Sequence, residues 1–196
     1  MRPYTQPYSE TASVRGGGRR RGRRSNRSST MTRTLLVMRH GKSRWDEENV
    51  DDLHRSLAKR GKRDSVRIGE EIRAQGPMPD IILSSPAKRA RSTVRRVIGG
   101  SGYSGEVIYD PDLYFEGAES CLRELSALPD WVRVAMLIGH NPTLEELVDL
   151  LTGQLIHLAT CALVHIDLPI DTWADLDDNA EGVLRQLVLP RELNRR

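Results

Sequence analysis

Short apolar runs alternate with segments of helical periodicity through most of this 196-residue chain. The runs at 34–38 and 134–138 are almost continuously apolar, which is typical of strands that are buried on both faces. A loop is predicted at 99–102, where three glycines surround a serine. The predicted strands are 34–38, 80–83, 106–109, 134–138, 161–168 and 183–189, and the predicted helices are 59–75, 86–97, 119–128 and 143–151.

This alternation predicts one α/β domain, a three-layer α/β/α sandwich with a mostly parallel central sheet. The carboxyl ends of parallel strands meet at one edge of such a sheet, and ligands bind in the crevice beyond that edge. Polar segments follow three of the predicted strands, at 39–41, 84–86 and 139–141, and two of these segments contain histidine. The functional site is therefore expected at this edge.

The first 30 residues differ in composition from the rest of the chain. They contain eight arginines and one glutamate, whereas the remainder is net acidic. They show no periodic apolar face, so residues 1–30 are predicted to be a disordered Arg/Gly/Ser-rich tail. The tail is compatible with a transit peptide or with binding to RNA or anionic lipid, and translation from Met31 is the alternative. The folded domain is expected to span 31–196.

Several classes of protein are excluded by composition. No apolar run is long enough for a membrane span. Cys121 and Cys161 form no CxxC pair, and residues 1–30 contain no apolar run typical of a secretion signal, so secretion is not expected and a reducing cytoplasm is the expected compartment. The five histidines show no metal-ligand spacing, and no metal site is expected.

The segment at 39–43 places His40 between cations at a strand end. Gly41 allows the backbone to approach a ligand, and this combination suits an anionic substrate such as a phosphate. A neutral imidazole can attack phosphorus. Taken alone, the segment is more typical of a hydrogen-bonded histidine at a helix start than of a nucleophile.

Two further strand ends carry candidate ligands for the same anion. Arg89 lies one turn into the helix after the second strand, from which its guanidinium can reach back over the sheet. Arg91, Arg95 and Arg96 point elsewhere by helical spacing and are expected on a solvated face. His140 supplies a second imidazole, which would add a positive donor if it were protonated.

These segments resemble the histidine phosphatase superfamily, whose hallmarks are an RHG motif, an SSPxxRAxxT segment and a GHN-type second histidine. They stand here at 39–41, 84–93 and 139–141, in that order. The segments at 39–45 and 55–61 also look like the small SixA-like branch of this superfamily. The likeness extends over about 34–189 and implies a phosphoglycerate mutase-like fold.

The resemblance implies phosphoryl transfer through a covalent phosphohistidine on His40, which water then hydrolyses. Arg39, Arg89 and His140 would form the phosphate pocket without any metal or other cofactor. Ser43 could add a hydroxyl contact to the phosphate.

The proton donor is less well defined. Related proteins place a Glu shortly after a Leu-Tyr pair, and here Glu116 stands one residue later than in that pattern. Glu119 is a competing candidate, although it also suits the first turn of a helix. If the leaving group is an imidazole, a strong acid matters less, and Glu116 is then expected to be dispensable.

The function expected from this resemblance is that of a SixA-like protein phosphohistidine phosphatase, because no long insertion between the motifs would form a lid over a small molecule. One alternative is a phosphatase for a small phosphate monoester such as a sugar or nucleotide phosphate. The other is a non-catalytic phosphate-sensing or tail-mediated RNA-binding protein. The expected partner is a phosphorylated protein or small molecule, with nucleic acid bound only through the tail, no membrane, and a monomeric state.

Overall fold

The computed structural model of the protein describes residues 32–45 and 50–193. Its strands are β1 (Arg33–Arg39), β2 (Ile81–Ser84), β3 (Glu106–Tyr109), β4 (Val134–Gly139), β5 (Leu163–Leu168) and β6 (Val183–Val188). Its α-helices are α1 (Lys59–Gln75), α2 (Lys88–Ser101), α3 (Asp112–Phe115), α4 (Ala118–Ser126) and α5 (Thr143–Thr152), and short 3-10 helices lie at Asp52–His54 and Trp173–Asp175.

The six strands form one sheet in the order β3-β2-β4-β1-β5-β6. The first four of these run parallel, whereas β5 and β6 run antiparallel to their neighbours. The prediction of a mostly parallel sheet is confirmed. Arg39 at the end of β1 pairs with Gly139 at the end of β4, so the residues that follow these two strands emerge side by side.

Each face of the sheet is covered by a layer of helices. Along β1, Leu36 and Met38 belong to a core shared with α1 and α2, and Leu35 and Val37 belong to a core shared with α4 and α5. This alternation follows from the two-residue period of a strand. Burying each such side chain is worth about 1.5–3 kcal/mol. The predicted three-layer sandwich is therefore confirmed.

The close packing of α1 on α2 explains one wrong prediction. The expected loop at 99–102 is helical for all but its last residue, whose left-handed backbone (φ 76°) ends α2. A Cβ at Gly100 would collide with the Val66 carbonyl oxygen, and a Cβ at Gly69 would collide with that of Val97. Glycine is thus required for the contact between the two helices, and its presence did not indicate a turn.

The predicted tail, residues 1–30, lies outside the described residues. Within the described ranges, no helix is both long enough and apolar enough to span a membrane.

Candidate active site

A cleft of about 350 Å³ lies at the carboxyl edge of the parallel strands. It brings together five residues that the sequence indicated, namely Arg39, His40, Ser43, Arg89 and His140. The other lining residues are Lys42, Trp45, Asp52, Arg55, Asn141 and Thr160.

His40 is held at the end of β1 by the backbone. Its N–H donates to the Gly139 carbonyl at 3.0 Å, and its Nδ1 lies 2.7 Å from the Gly41 carbonyl oxygen. Because a carbonyl can only accept, Nδ1 carries the proton and Nε2 keeps a free electron pair. The residue is only 7% exposed. A buried imidazole with an unprotonated Nε2 is therefore available as a nucleophile.

Arg89 links the two histidines with a carboxylate. Its guanidinium donates to Nε2 of His40 at 3.3 Å and to Nδ1 of His140 at 3.2 Å. The same group binds Asp52 twice, at the carboxylate (2.7 Å) and at the backbone carbonyl. Arg89 belongs to the first turn of α2 and is 4% exposed, so the helix fixes its position.

His140 follows β4 and faces His40, with the two ring centroids 4.9 Å apart. Since its Nδ1 accepts from Arg89, the proton lies on Nε2, which donates to the Ser85 hydroxyl at 2.8 Å. Ser85 is supplied by the segment that joins β2 to α2. The two histidines are thus held in opposite tautomers.

Both imidazoles are neutral in the free cleft. Burial lowers the pKa of His40 to about 3, and the neighbouring His140, Arg89 and Arg39 act in the same direction. Burial also lowers the pKa of His140 to about 3, with the charge of Arg89 as the next cause. A positive donor at His140 therefore requires a bound anion that raises its pKa.

Two further arginines line the cleft with unused donors. Arg39 donates from Nη1 to the Leu158 carbonyl at 2.7 Å, while its buried Nε has no partner among the described residues. Arg55 stacks on Trp45, with its guanidinium carbon 3.6 Å from the ring centroid. Its buried Nε and Nη1 likewise have no partner within 32–45 and 50–193. Buried donors without acceptors are costly, and an anion in the cleft could satisfy them.

Asp52 is a cleft residue that sequence reasoning missed. Its carboxylate accepts from Arg89, lies 2.9 Å from Nη2 of Arg55, and accepts the hydroxyl of Tyr114 at 2.8 Å. Partial burial works to raise the pKa of Asp52, but the Tyr114 hydrogen bond and the two guanidinium charges outweigh it and leave that pKa lowered. Asp52 lies in a segment without periodicity, and no sequence signal marked it.

Ser43 belongs to a short clamp on the loop after β1. Ser43 forms an isolated antiparallel bridge with Leu57, and Ala58 donates its N–H to the Lys42 carbonyl at 2.8 Å. A Cβ at Gly61, in the first turn of α1, would collide with the backbone of Lys42. The clamp fixes the loop that carries Ser43 to the wall of the cleft.

Glu116 does not line this cleft. It follows α3, and its half-exposed carboxylate binds the guanidinium of Arg123 at 3.0 Å. Glu119, the competing candidate, lies in the first turn of α4. The structure therefore brings together the predicted cations and histidines but leaves Glu116 in a different contact.

The arrangement is suited to phosphoryl transfer. Among the described lining residues, four cations (Arg39, Lys42, Arg55 and Arg89) face the single negative charge of Asp52. Guanidinium groups bind phosphate oxygens in pairs and stabilise the charge that develops on them. His40 adds a neutral nucleophile beside these groups.

Comparison with known proteins agrees with this chemistry. A family model described as the histidine phosphatase superfamily (branch 1) matches residues 35–114. A solved structure of a candidate phosphohistidine phosphatase SixA from Nakamurella multipartitia has a TM-score of 0.71 and 27% identity, covering 81% of this chain and 96% of its own. The protein histidine phosphatase SixA in complex with tungstate has a TM-score of 0.70 at 23% identity, over 82% and 99%, which shows a shared fold.

Two relatives found by sequence are also similar over most of their length. A chloroplastic protein of uncharacterised function from Arabidopsis thaliana is 29% identical over 156 residues, or 74% of this chain and 71% of its own. A likewise uncharacterised protein from Mycobacterium leprae (strain TN) is 32% identical over 120 residues, or 60% and 72%. A 2,3-bisphosphoglycerate-dependent phosphoglycerate mutase from Nocardioides sp. matches only 32% of this chain, at 37% identity.

Proposed function

The chain belongs to the histidine phosphatase superfamily and to its SixA-like branch, and on this basis we propose that this phosphatase hydrolyses phosphohistidine in a protein. In the proposed reaction, His40 is the nucleophile. Arg39, Arg89, His140 and the Ser43 hydroxyl are its phosphate ligands. Asp52 holds Arg89 in position and is not itself the proton donor.

The main support for this proposal is that the carboxylate of Asp52 in the cleft is ionised and that Glu116 lies outside the cleft. Asp52 is the one carboxylate among the described lining residues, and its lowered pKa keeps it ionised. The carboxylate of Glu116 is paired with Arg123. An alkyl phosphate ester leaves as an alkoxide that must be protonated, so its cleavage requires an acid. A phosphohistidine with a protonated ring needs none, so the ionised Asp52 is compatible with that substrate.

The first step exchanges one imidazole for another. Nε2 of His40 attacks the phosphorus in line while the substrate's P–N bond breaks, and the bonding electron pair remains on the substrate ring. That ring leaves as neutral imidazole and the His40 ring becomes positive. The Gly41 carbonyl, 2.7 Å from Nδ1, stabilises this positive ring by accepting its proton in a hydrogen bond. No proton has to move in this step.

The second step returns the enzyme to its starting state. Water attacks the phosphorus on the face opposite His40, the P–Nε2 bond breaks, and its electron pair returns to Nε2. Both protons of the water remain on the phosphate product, and His40 is again neutral. Arg39 and Arg89 stabilise the oxygens in both steps because their charges are fixed.

The proposal places the enzyme in a reducing cytoplasm as a monomer. Cys121 and Cys161 are both buried and unpaired, as expected for thiols of an intracellular enzyme.

The test uses the full chain with two substrates. One is a phosphotransfer protein phosphorylated on histidine with phosphoramidate, and the other is a sugar phosphate, whose alkoxide leaving group must be protonated. We expect faster release of phosphate from the protein substrate, a loss of at least about 100-fold in His40→Ala, and an acid-labile phosphoryl group trapped on His40 in the wild type. The matched control is His157→Ala, since His157 is exposed and lies outside the cleft.

Two outcomes would contradict the proposal. A preference for the sugar phosphate would indicate a small-molecule phosphatase. Binding of phosphate without turnover of either substrate would indicate a phosphate sensor. RNA binding that weakens with added salt would then be assigned to the Arg-rich tail.

A further inference from the structure

A second cleft of about 340 Å³ lies beside the active site. The Asp52–His54 3-10 helix forms a wall shared by both, because Asp52 lines the active cleft whereas Leu53 and His54 line the second. The helix α2 contributes to both as well, through Arg89 on one side and Lys88 on the other. The remaining residues of the second cleft are Pro86, Arg91, Arg95 and Tyr109.

Three exposed cations define the chemistry of this cleft. Lys88, Arg91 and Arg95 are spaced three and four residues apart, so they share one face of α2. None of them takes part in an ion pair within the described part of the chain. The wall residue His54 is itself bound to Asp51, at 2.8 Å. The second cleft therefore carries positive charge that the described protein does not neutralise.

Two of these cations are held in place. The guanidinium carbon of Arg91 lies 4.2 Å from the centroid of the Tyr109 ring, and Nη2 of Arg95 donates to the Ser92 hydroxyl at 3.2 Å. Such contacts reduce the side-chain entropy that binding would otherwise cost. The cations are thus partly positioned for an anionic ligand before it arrives.

From this arrangement we infer that the second cleft binds acidic side chains next to the phosphorylated histidine of the substrate protein. The inference rests on the proposed function and adds a specificity site to it. A substrate segment whose phosphohistidine enters the active cleft passes over the Asp52–His54 helix and reaches Lys88, Arg91 and Arg95. Carboxylates of that segment then pair with the three cations.

The aromatic residue of the cleft favours a protein ligand over RNA. Single-stranded nucleic acid binds by stacking its bases on open aromatic faces. Tyr109 is half-buried, and Arg91 covers one face of its ring. The cleft offers positive charge but little aromatic surface for base stacking. These properties are complementary to an acidic peptide.

The test compares two phosphohistidine peptides with the full chain. One carries three Asp or Glu residues beside the phosphohistidine, and the other carries Asn or Gln at the same positions. At low ionic strength we expect kcat/KM to be about tenfold higher for the acidic peptide, since exposed ion pairs are worth up to about 1 kcal/mol each. In Arg91→Glu/Arg95→Glu the ratio of the two kcat/KM values should fall to about one. In the wild type the ratio should decrease with added salt.

A matched double variant controls for the change in total charge. Arg73→Glu/Arg191→Glu makes the same change at exposed positions outside both clefts, and it should keep the tenfold preference. The Arg-rich tail is present in every variant, so it does not affect the comparison. Equal kcat/KM for the two peptides in the wild type would overturn the inference while leaving phosphohistidine hydrolysis intact.

A binding measurement separates the inference from the proposed function. Fluorescent peptides with a non-hydrolysable phosphohistidine analogue are titrated into His40→Ala, with and without the Arg91→Glu/Arg95→Glu changes. Tighter binding of the acidic peptide that these changes abolish supports the cleft even if the wild type hydrolyses neither peptide. Equal binding of both peptides overturns the inference. It is also overturned if the Arg91→Glu/Arg95→Glu changes reduce the binding of single-stranded RNA and leave the peptide preference unchanged.

Discussion

Arg89 donates from its Nε to the Nε2 of His40 across 3.3 Å, so the electron pair of the nucleophile faces a fixed positive charge. Burial is the main cause of the lowered pKa of His40, and this contact acts in the same direction while it also engages the lone pair that must attack. A phosphate that draws the Arg89 donor onto its own oxygens frees Nε2 at the same moment. Binding of the substrate and release of the nucleophile are thereby coupled through one guanidinium group.

The first prediction concerns the tautomers of the two histidines. We expect nitrogen NMR of the histidine-labelled protein to show His40 protonated on Nδ1 and His140 protonated on Nε2, because Gly41 and Ser85 accept those protons. Both rings should stay neutral from pH 8 down to about 4.5, since their pKa values are lowered to about 3. His40→Gln and His140→Gln assign the signals. Either ring titrating near 6.5 would contradict this geometry.

The second prediction concerns stability against pH. The unfolded chain protonates each of these histidines below its ordinary pKa of 6.5, whereas the folded chain does so only near 3. The unfolded state therefore binds more protons in this window, and the free energy of unfolding falls as the pH drops. We expect a loss of about 2 kcal/mol per histidine between pH 7 and pH 5. Urea unfolding at both pH values measures it, and His40→Gln should reduce the loss; an unchanged loss would refute the assignment.

The third prediction separates Asp52 from Glu116. Asp52→Asn removes the charge that orients Arg89, so we expect kcat on a phosphohistidine protein to fall about tenfold and inhibition by inorganic phosphate to strengthen. Glu116→Gln should change kcat less than about twofold, as should Arg123→Gln, because those two residues bind each other outside the cleft. The opposite ranking, with Glu116→Gln the damaging change, would identify Glu116 as a proton donor.

The fourth prediction uses two glycines that differ in the space around them. Gly61→Ala places a methyl group against the Lys42 backbone, so it should lower the free energy of unfolding by at least about 2 kcal/mol and reduce activity through the displaced loop. Gly99→Ala is the matched control. Gly99 lies inside α2 with nothing within 4 Å of the added carbon, and alanine there should stabilise the protein by about 0.5–1 kcal/mol. Chemical denaturation of both variants checks the contrast, and equal effects would show that the loop clamp is not tight.

Local sequence signals were sufficient to predict the strands of the sheet and many of the residues that line the cleft. The predicted helix 59–75 matches α1 because Gly76 and Pro77 mark its end. His40 and His140 could be placed together because each directly follows an apolar strand, and parallel strands end at one edge. These features depend on residues that are neighbours in the chain or on a general rule of sheet topology.

Other features depend on contacts that sequence spacing does not reveal. Asp52 reaches the cleft because Arg89 and Tyr114, far away in sequence, converge on its carboxylate. Glu116 is drawn to Arg123 by a helix that begins two residues later. The glycines of α2 resembled a loop because the helix that packs against them lies about 30 residues earlier in the chain.

The pairing of β1 with β4 has a consequence for how activity first appears. His40 stands next to Gly139 and His140, from which about 100 residues separate it along the chain. A nascent chain that has emerged only to residue 130 contains the nucleophile but lacks both the adjoining strand and the second imidazole. Turnover can therefore begin only after β1 has paired with β4. The rate at which phosphate release appears during refolding thus reports the formation of this strand pair.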